Sequence, residues 1–334
     1  MKVLVVGGAG YIGSHMVLAL QGAGYQAVVF DNLSRGFADA VGQKIPLVVG
    51  DLRSPADLES CLAGHRFDLV MHFAALAYVG ESVTDPELYY QNNVVGALNL
   101  LSAMRRHGVC RLVFSSTCAT YGEPDTVPIA ESHPQRPINP YGRSKWMIEQ
   151  ALQDYAGAYG MYSVSLRYFN AAGCDPQGRA GERHDPETHL IPLVLGEALR
   201  LKRGGHPDET TLQVFGDDFP TLDGSCVRDY IHVEDLCQAH LLAAQHLLSG
   251  HVQGAEVYNL ANGAGFSVLE VIEACRTVTG QPIRYRLQPR RAGDPAVLIG
   301  DARRAGEMLE WHPTHGDLPG IIRTAWAWMN RSAD

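Results

Sequence analysis

No stretch of eighteen apolar residues occurs in the 334-residue chain, so no membrane-spanning helix and no membrane partner are expected. The apolar opening Val3–Val6 runs at once into a glycine loop. It is too short for the apolar region of a signal peptide and has no cleavage site behind it. The seven cysteines (61, 110, 118, 174, 226, 237 and 275) are scattered and include no Cys-x-x-Cys pair. They read as reduced, packed thiols of a cytoplasmic protein. The fourteen histidines form no His-Glu-x-x-His or other metal spacing, and His184 and His189 flank an ordinary Asp-Pro-Glu-Thr loop. No metal is expected. Basic excess is lacking too: 27 Lys and Arg stand against 36 Asp and Glu, a net charge of −9, which argues against a nucleic-acid partner. The pairs Arg105-Arg106, Arg290-Arg291 and Arg303-Arg304 are too short to change that. Neither an internal repeat nor a low-complexity segment is present.

What is there is an ordinary globular composition, 46% hydrophobic and 19% charged, long enough for two domains. Predicted strands are Val3–Val6, Ala27–Phe30, Leu47–Val49, Leu69–Phe73, Leu112–Ser115 and Ser163–Tyr168. Helical patterns lie between them, near Ile12–Gln21, Pro55–Leu62, Pro86–His107 and Pro140–Tyr159. Strand and helix in alternation predict an α/β fold with a doubly wound parallel sheet. After Tyr168 the rhythm breaks into loops at Gly173–Pro186, Gly204–Asp208 and Phe215–Gly224. The expected division is a first domain over 1–170 and a smaller α+β domain over 171–334, with some later segments returning to the first.

Gly7, Gly10 and Gly13 form Gly-x-x-Gly-x-x-Gly between the first strand and the first helix. Small residues there let the backbone approach a pyrophosphate seated on the helix N-terminus. Asp31 closes the second strand, where a carboxylate accepts from both adenosine ribose hydroxyls and repels a 2′-phosphate. That points to NAD, although Arg35 nearby is a residue a 2′-phosphate would seek. Asp51-Leu52 ends the third strand in the same manner and is placed to contact adenine. Tyr141 and Lys145 stand at i and i+4, one turn apart on one helix face. A close ammonium favours phenolate and brings the phenol toward use as a base. The hydroxyl-rich strand end Phe114-Ser115-Ser116-Thr117 precedes them.

With these segments in view the chain resembles the extended short-chain dehydrogenase/reductases, and among them the UDP-glucose 4-epimerases. The matching segments span the chain in order: GGAGYIGSH at 7–15, DNLSRG at 31–36, HFAA at 72–75, NPYGRSK at 139–145, LRYFNAAG at 166–173, PETHLIP at 186–192, DGSCVRDYIHV at 223–233 and RRAGDP at 290–295. The resemblance implies a Rossmann domain and NAD as a bound cofactor. Around it would lie Gly7, Gly10, Tyr11, Ile12, Gly13, Asp31, Asn32, Asp51, Leu52, Phe73, Ala74, Ala75, Asn93, Ser115, Tyr141, Lys145 and Tyr168. Thr117, Tyr141 and Lys145 would be catalytic. Thr117, Asn170, His189, Leu190, Gln213, Phe215, Arg228, Tyr230, Arg291 and Asp294 would hold a UDP-sugar. Leu298, aligned from Asp294 and Asp301, would occupy a position that gates the sugar pocket.

The implied reaction oxidises carbon 4 of the sugar, turns the 4-keto intermediate and reduces its other face. Related 4,6-dehydratases carry an Asp-Glu pair where Cys118-Ala119 stand, and related decarboxylases a glutamate; neither chemistry is expected here. A catalytically silent NAD-sensing protein is a rival of another class, disfavoured by intact Thr117, Tyr141 and Lys145. Ala77 and Ser116–Thr120 are similar to the UDP-pentose 4-epimerases, whereas PETHLIP is similar to the bacterial hexose branch; UDP-N-acetylglucosamine is a further possible substrate. The helices at 86–107 and 140–159 are expected to form a homodimer's four-helix interface.

Overall fold

The computed structural model describes residues 1–291 and 294–331. The first half runs β1 (Lys2–Val6), α1 (Tyr11–Gly22), β2 (Gln26–Asp31), β3 (Leu47–Val49), α2 (Pro55–Ala63), β4 (Leu69–His72), α3 (Val79–Thr84), α4 (Pro86–Tyr89), α5 (Gly96–Arg106), β5 (Arg111–Thr117), α6 (Pro140–Tyr159) and β6 (Tyr162–Tyr168). The second half adds β7 (Asn170–Ala172), α7 (Leu190–Lys202), β8 (Gln213–Phe215), β9 (Val227–His232), α8 (Val233–Leu248), β10 (Ala255–Leu260), β11 (Gly265–Ser267), α9 (Val268–Thr279), β12 (Arg286–Gln288), β13 (Val297–Leu298), α10 (Arg303–Leu309) and α11 (Leu318–Arg331).

Seven parallel strands form the central sheet in the order β10-β6-β5-β4-β1-β2-β3. Its strands read as unbroken apolar runs because both faces are covered. In β1, Val3 and Val5 pack toward Met16 and Leu20 of α1, while Leu4 and Val6 pack toward Leu58 of α2 and Leu100 of α5. The α/β reading is therefore correct. The sheet also draws on the second half of the chain: β10 pairs with β6, and Leu236 and Leu247 of α8 enter the same core as α1. A second core gathers α7, α9 and α11 around Ile191, Val194, Ile272 and Ile321. Beside it lie β7, β11 and β13 paired around β9, and the two-stranded β8–β12 ribbon.

One expectation needs correction. Pro86–His107 is not a single regular helix: a π-helical turn at Tyr90–Val95 joins α4 to α5. The extra residue in that turn rotates Asn93 inward, where its amide binds the Leu76 backbone and Ser144. By contrast α6 follows its sequence signals. Asn139 accepts the Gly142 N–H at 2.8 Å, Pro140 opens the helix, and Gly160 closes it at φ +62°. No disulfide joins the cysteines, and no described helix is long and apolar enough to cross a membrane.

Candidate active site

From β1 the sheet grows outward in both directions, so the crevice beyond the carboxyl ends of β1 and β4 is the place where such a sheet takes a ligand. There Gly7, Gly10, Asp31, Asn32, Leu52, Phe73, Ala74 and Ala75 line an open cleft. Two glycines of the β1–α1 loop and the helix start behind it are forced. Gly7 sits at φ +83°, and a Cβ on it would lie 2.4 Å from the Ala74 nitrogen. A Cβ on Gly13 would lie 2.1 Å from the Gly7 carbonyl. Gly10 caps α1, whose first turn carries no acidic side chain, so its amides are left for an anion. These features fit a dinucleotide.

Asp31 is buried, and its two oxygens accept the Ala9 and Leu33 amides at 3.0 and 2.9 Å. Burial pushes the carboxyl up, and those amide bonds pull it back. The carboxylate thereby ties the glycine loop to the ribose end. Arg35 is engaged elsewhere: it pairs with Glu81 at 2.7 Å, donates to the Asp185 carbonyl at 3.1 Å and lies over the Tyr78 ring. It is not a free reader of a 2′-phosphate. Asp51 accepts from Asn32 at 3.1 Å and is held well below the usual carboxylate range by Arg53. Leu52 packs where a side chain on Gly96 would clash. Tyr11, half-buried at the start of α1 beside Ile12, donates to the Gly173 carbonyl at 2.6 Å.

Beyond Leu76, which lines the cleft and packs with Tyr141, β5 delivers Ser115 and Thr117, and α6 delivers Tyr141 and Lys145. The Thr117 hydroxyl stands close enough to the Tyr141 phenol to act on it. Burial raises the Tyr141 phenol well above its ordinary value, and the nearby Thr117 hydroxyl only partly offsets this. Lys145 donates to the Ser115 carbonyl at 2.8 Å and lies over the Phe114 ring, and burial lowers its ammonium to about 7. The ammonium therefore bears on β5 and His72 rather than directly on the phenol, unlike the simple pairing expected from the i, i+4 spacing. Tyr168 stands near Ser115, and its phenol is raised by burial to about 12.

Sequence reasoning missed several groups here. His240 on α8 contacts Ser115 Oγ at 3.2 Å and packs on Phe73, although it lies far along the chain. Beneath Thr117, Glu149 and Arg167 form a buried ion pair at 2.5 Å that extends through Tyr121 to Asn259. Its signal was a charge inside the apolar strand Tyr162–Tyr168.

The remaining candidates gather around β9. Register sets Leu298 opposite Arg228 and Asn170 opposite Tyr230. Asn170 donates to the Asp229 carbonyl. Arg228 donates to the Pro295 carbonyl at 2.9 Å and stands 3.6 Å from Asp294. Arg291 lies over the Phe215 ring at 3.9 Å, at the end of the described segment before residues 292 and 293 of the RRAGDP motif, which lie outside the description. Gln213 is exposed. Tyr230 is not brought to the surface: it is 5% exposed within the α7–α9–α11 core. Leu298 packs against the cluster of Cys118, Tyr121 and Phe169, next to Thr117. His189 and Leu190 open α7. The Nδ1 of His189 faces Glu182 and Glu187, and His184 joins them.

Residues 3–261 match the model of the NAD dependent epimerase/dehydratase family. The chain belongs to this family. It is 50% identical over 328 residues to a UDP-glucose 4-epimerase of Halalkalibacterium halodurans, covering 98% of this chain and 95% of that one. The family member most usefully compared in structure is the UDP-glucose 4-epimerase from Brucella ovis in complex with NAD. It is 48% identical with TM-score 0.91, over 98% of this chain and 97% of its own. A UDP-glucose-4-epimerase from Stenotrophomonas maltophila with bound NAD and formylated UDP-arabinopyranose is 40% identical with TM-score 0.92, over 100% and 99%.

Proposed function

We propose that the chain is a UDP-glucose 4-epimerase that interconverts UDP-galactose and UDP-glucose through a transient 4-keto sugar. The observation that carries this reading is the Thr117 hydroxyl at the carboxyl end of β5 close to the Tyr141 phenol, beside a glycine-lined cleft whose Leu76 packs with Tyr141. Tyr141 takes the proton from the 4-hydroxyl of the hexose and returns it after the sugar has turned. Thr117 holds that hydroxyl against the phenol, and Lys145 anchors the adjoining strand and the cofactor's ribose. NAD, when bound, supplies the hydride acceptor and donor and a positive ring. Arg228 and Arg291 neutralise the diphosphate with forked donors, Asp294 and Phe215 hold the nucleoside, and His189 offers Nε2. Anchoring at the nucleotide end leaves the sugar free to rotate.

Water elimination finds no acid–base pair in this site. Cys118 is buried, with its thiol pushed up to about 12, and Ala119 has no side-chain proton. The test is incubation of the purified protein with UDP-galactose, following UDP-glucose without added NAD. No conversion would sink the reading and leave the silent NAD-binding rival. Denaturing the protein and identifying the released nucleotide tests the cofactor: NADP as the main species would overturn the role given to Asp31. UDP-xylose compared with UDP-glucose by kcat/KM separates the pentose from the hexose reading. We further propose a cytoplasmic homodimer, with the outward faces of 86–106 and α6 as the interface, where Val95 and Met147 are exposed. A monomeric mass in sedimentation would refute that.

A further inference from the structure

Between β7 and α7 the chain places Glu182, His184, Glu187 and His189 so that one ligand atom from each lies within 4.8 Å of the others. This loop crosses the start of the first domain: Tyr11 donates to the Gly173 carbonyl, Tyr78 to the Pro186 carbonyl and Arg35 to the Asp185 carbonyl. We propose that these four side chains form a tetrahedral zinc site that pins the loop.

Three geometric observations point to a cation. First, His184 Nδ1 lies 3.4 Å from Glu182 Oε1 and 3.4 Å from Glu187 Oε2, and His189 Nδ1 lies 3.3 Å from Glu187 Oε1. Good charge-assisted hydrogen bonds are shorter, about 2.7–2.9 Å. Ligands about 2.0–2.2 Å from a tetrahedral zinc stand about 3.3–3.6 Å apart; with Glu187 Oε2 as the ligand, both separations from His184 Nδ1 match that edge, and the 2.8 Å between Glu182 Oε1 and His189 Nδ1 would open as the metal enters. Second, Glu182 Oε1 is completely buried and makes no hydrogen bond, on a side chain only 5% exposed. It lies 2.8 Å from His189 Nδ1 without hydrogen-bond alignment, so its lone pairs look into the cluster unmet. Such an oxygen is costly unless a cation meets it. Third, the ligands are held from behind. Glu187 Oε1 accepts the amides of Thr188 and His189 at 2.7 and 2.8 Å, and the Glu182 carbonyl accepts from Trp328 at 3.2 Å. His184 stands between the rings of Tyr11 and Tyr78. Outer contacts of this kind orient ligands before a metal arrives.

Two imidazoles and two carboxylates suit zinc better than the harder magnesium or calcium. Glu-x-His-x-x-Glu-x-His matches none of the familiar metal spacings, which is why the sequence did not reveal it. Zinc here is structural: the loop carries no atom of the Thr117–Tyr141 pair.

The experiment uses the full-length holoprotein stripped with a chelator, titrated with Zn²⁺ against a chromophoric competitor. One zinc per chain is expected in the wild type, with a higher unfolding midpoint when zinc is present. Glu182→Gln, which keeps shape, and His184→Ala should each weaken binding at least about a hundredfold. Substitution of Co²⁺ should give the intense visible bands of a tetrahedral site, absent from both variants. Failure of the wild type to bind stoichiometric zinc overturns the proposal and leaves a tetrad of hydrogen-bonded ion pairs. Equal binding by a folded Glu182→Gln variant also overturns it, placing the metal elsewhere, such as at His232, Glu234 and His315. Epimerase activity is not the readout, so neither result bears on the function proposed above.

Discussion

At the scale of single residues, two protonation states govern the proposed reaction. Burial keeps Tyr141 a neutral phenol in the protein alone. Tyr141→Phe preserves the ring and removes the proton acceptor, so kcat should fall by about 10²–10⁴ while UDP affinity stays within twofold. Near-normal turnover of UDP-galactose would disqualify Tyr141 as the base. Lys145 works by charge. Its ammonium rests on the Ser115 carbonyl, and in so buried a site a cation favours phenolate even without touching it, so Lys145→Met should move the acidic limb of the kcat–pH profile toward higher pH and weaken NAD retention. An unmoved limb would confine Lys145 to cofactor binding. The same lysine carries a stability cost. Its folded value of about 7 lies below the ordinary lysine value of 10.5, so its contribution to stability is complete above that ordinary value and lost as pH falls through 7. Lys145→Met should therefore gain stability relative to wild type chiefly at pH 7 and below, read as the difference in urea midpoints.

Elements add what single residues cannot. The first turn of α6 lies so close to the strand-five loop that a Cβ on Gly142 would stand 2.4 Å from the Ala119 carbonyl. Gly142→Ala must therefore push α6 outward, separating Tyr141 from Thr117. The expected cost is about 1–3 kcal/mol of stability together with a loss of kcat. Wild-type kcat with a lowered Tm would mean that the helix tolerates the shift without disturbing the pair. The pairing of β13 with β9 places Leu298 beside Arg228, against Cys118 and Phe169. Leucine leaves more room there than an aromatic ring. Some conversion of UDP-N-acetylglucosamine is expected, and Leu298→Tyr should suppress it selectively by crowding the larger sugar. Equal loss on the acetylated and plain pairs would make Leu298 a packing residue instead.

For the molecule as a whole, the central sheet and the helix α8 packed on it bury histidines that resist taking a proton. His72 and His240 are buried, and their imidazoles are lowered to about 3 and about 4, chiefly by burial. Unfolded histidine titrates near about 6.5, so this stability is complete above that pH and is lost as pH falls toward 4. Below about pH 6 each group should remove about 1.4 kcal/mol per pH unit from the free energy of unfolding. His240→Gln should flatten that slope in urea melts between pH 6 and 4, and an unchanged slope would exclude His240 as a source. The fold couples this sensitivity to function, since His240 contacts the strand that carries Ser115 and Thr117.

The parallel α/β sheet, the glycine loop, Asp31, and Thr117, Tyr141 and Lys145 as a candidate set were legible along the chain. Each of these rests on short-range rules: strand–glycine–helix order, capping residues around α6, and one helical turn between tyrosine and lysine. Tertiary structure alone decided the rest. It brought β10 and α8 back to the first sheet, because an apolar strand carries no record of which strand it will pair with. It tied Arg35 to Glu81 and Asp185, turning a candidate phosphate reader into a clasp. It drew the Lys145 ammonium onto the Ser115 carbonyl, a contact invisible to i, i+4 spacing. It gathered Glu182, His184, Glu187 and His189 by folding one loop back on itself. Spacing along a chain fixes which side chains share a helix face, but convergence of a loop depends on the surfaces it packs against.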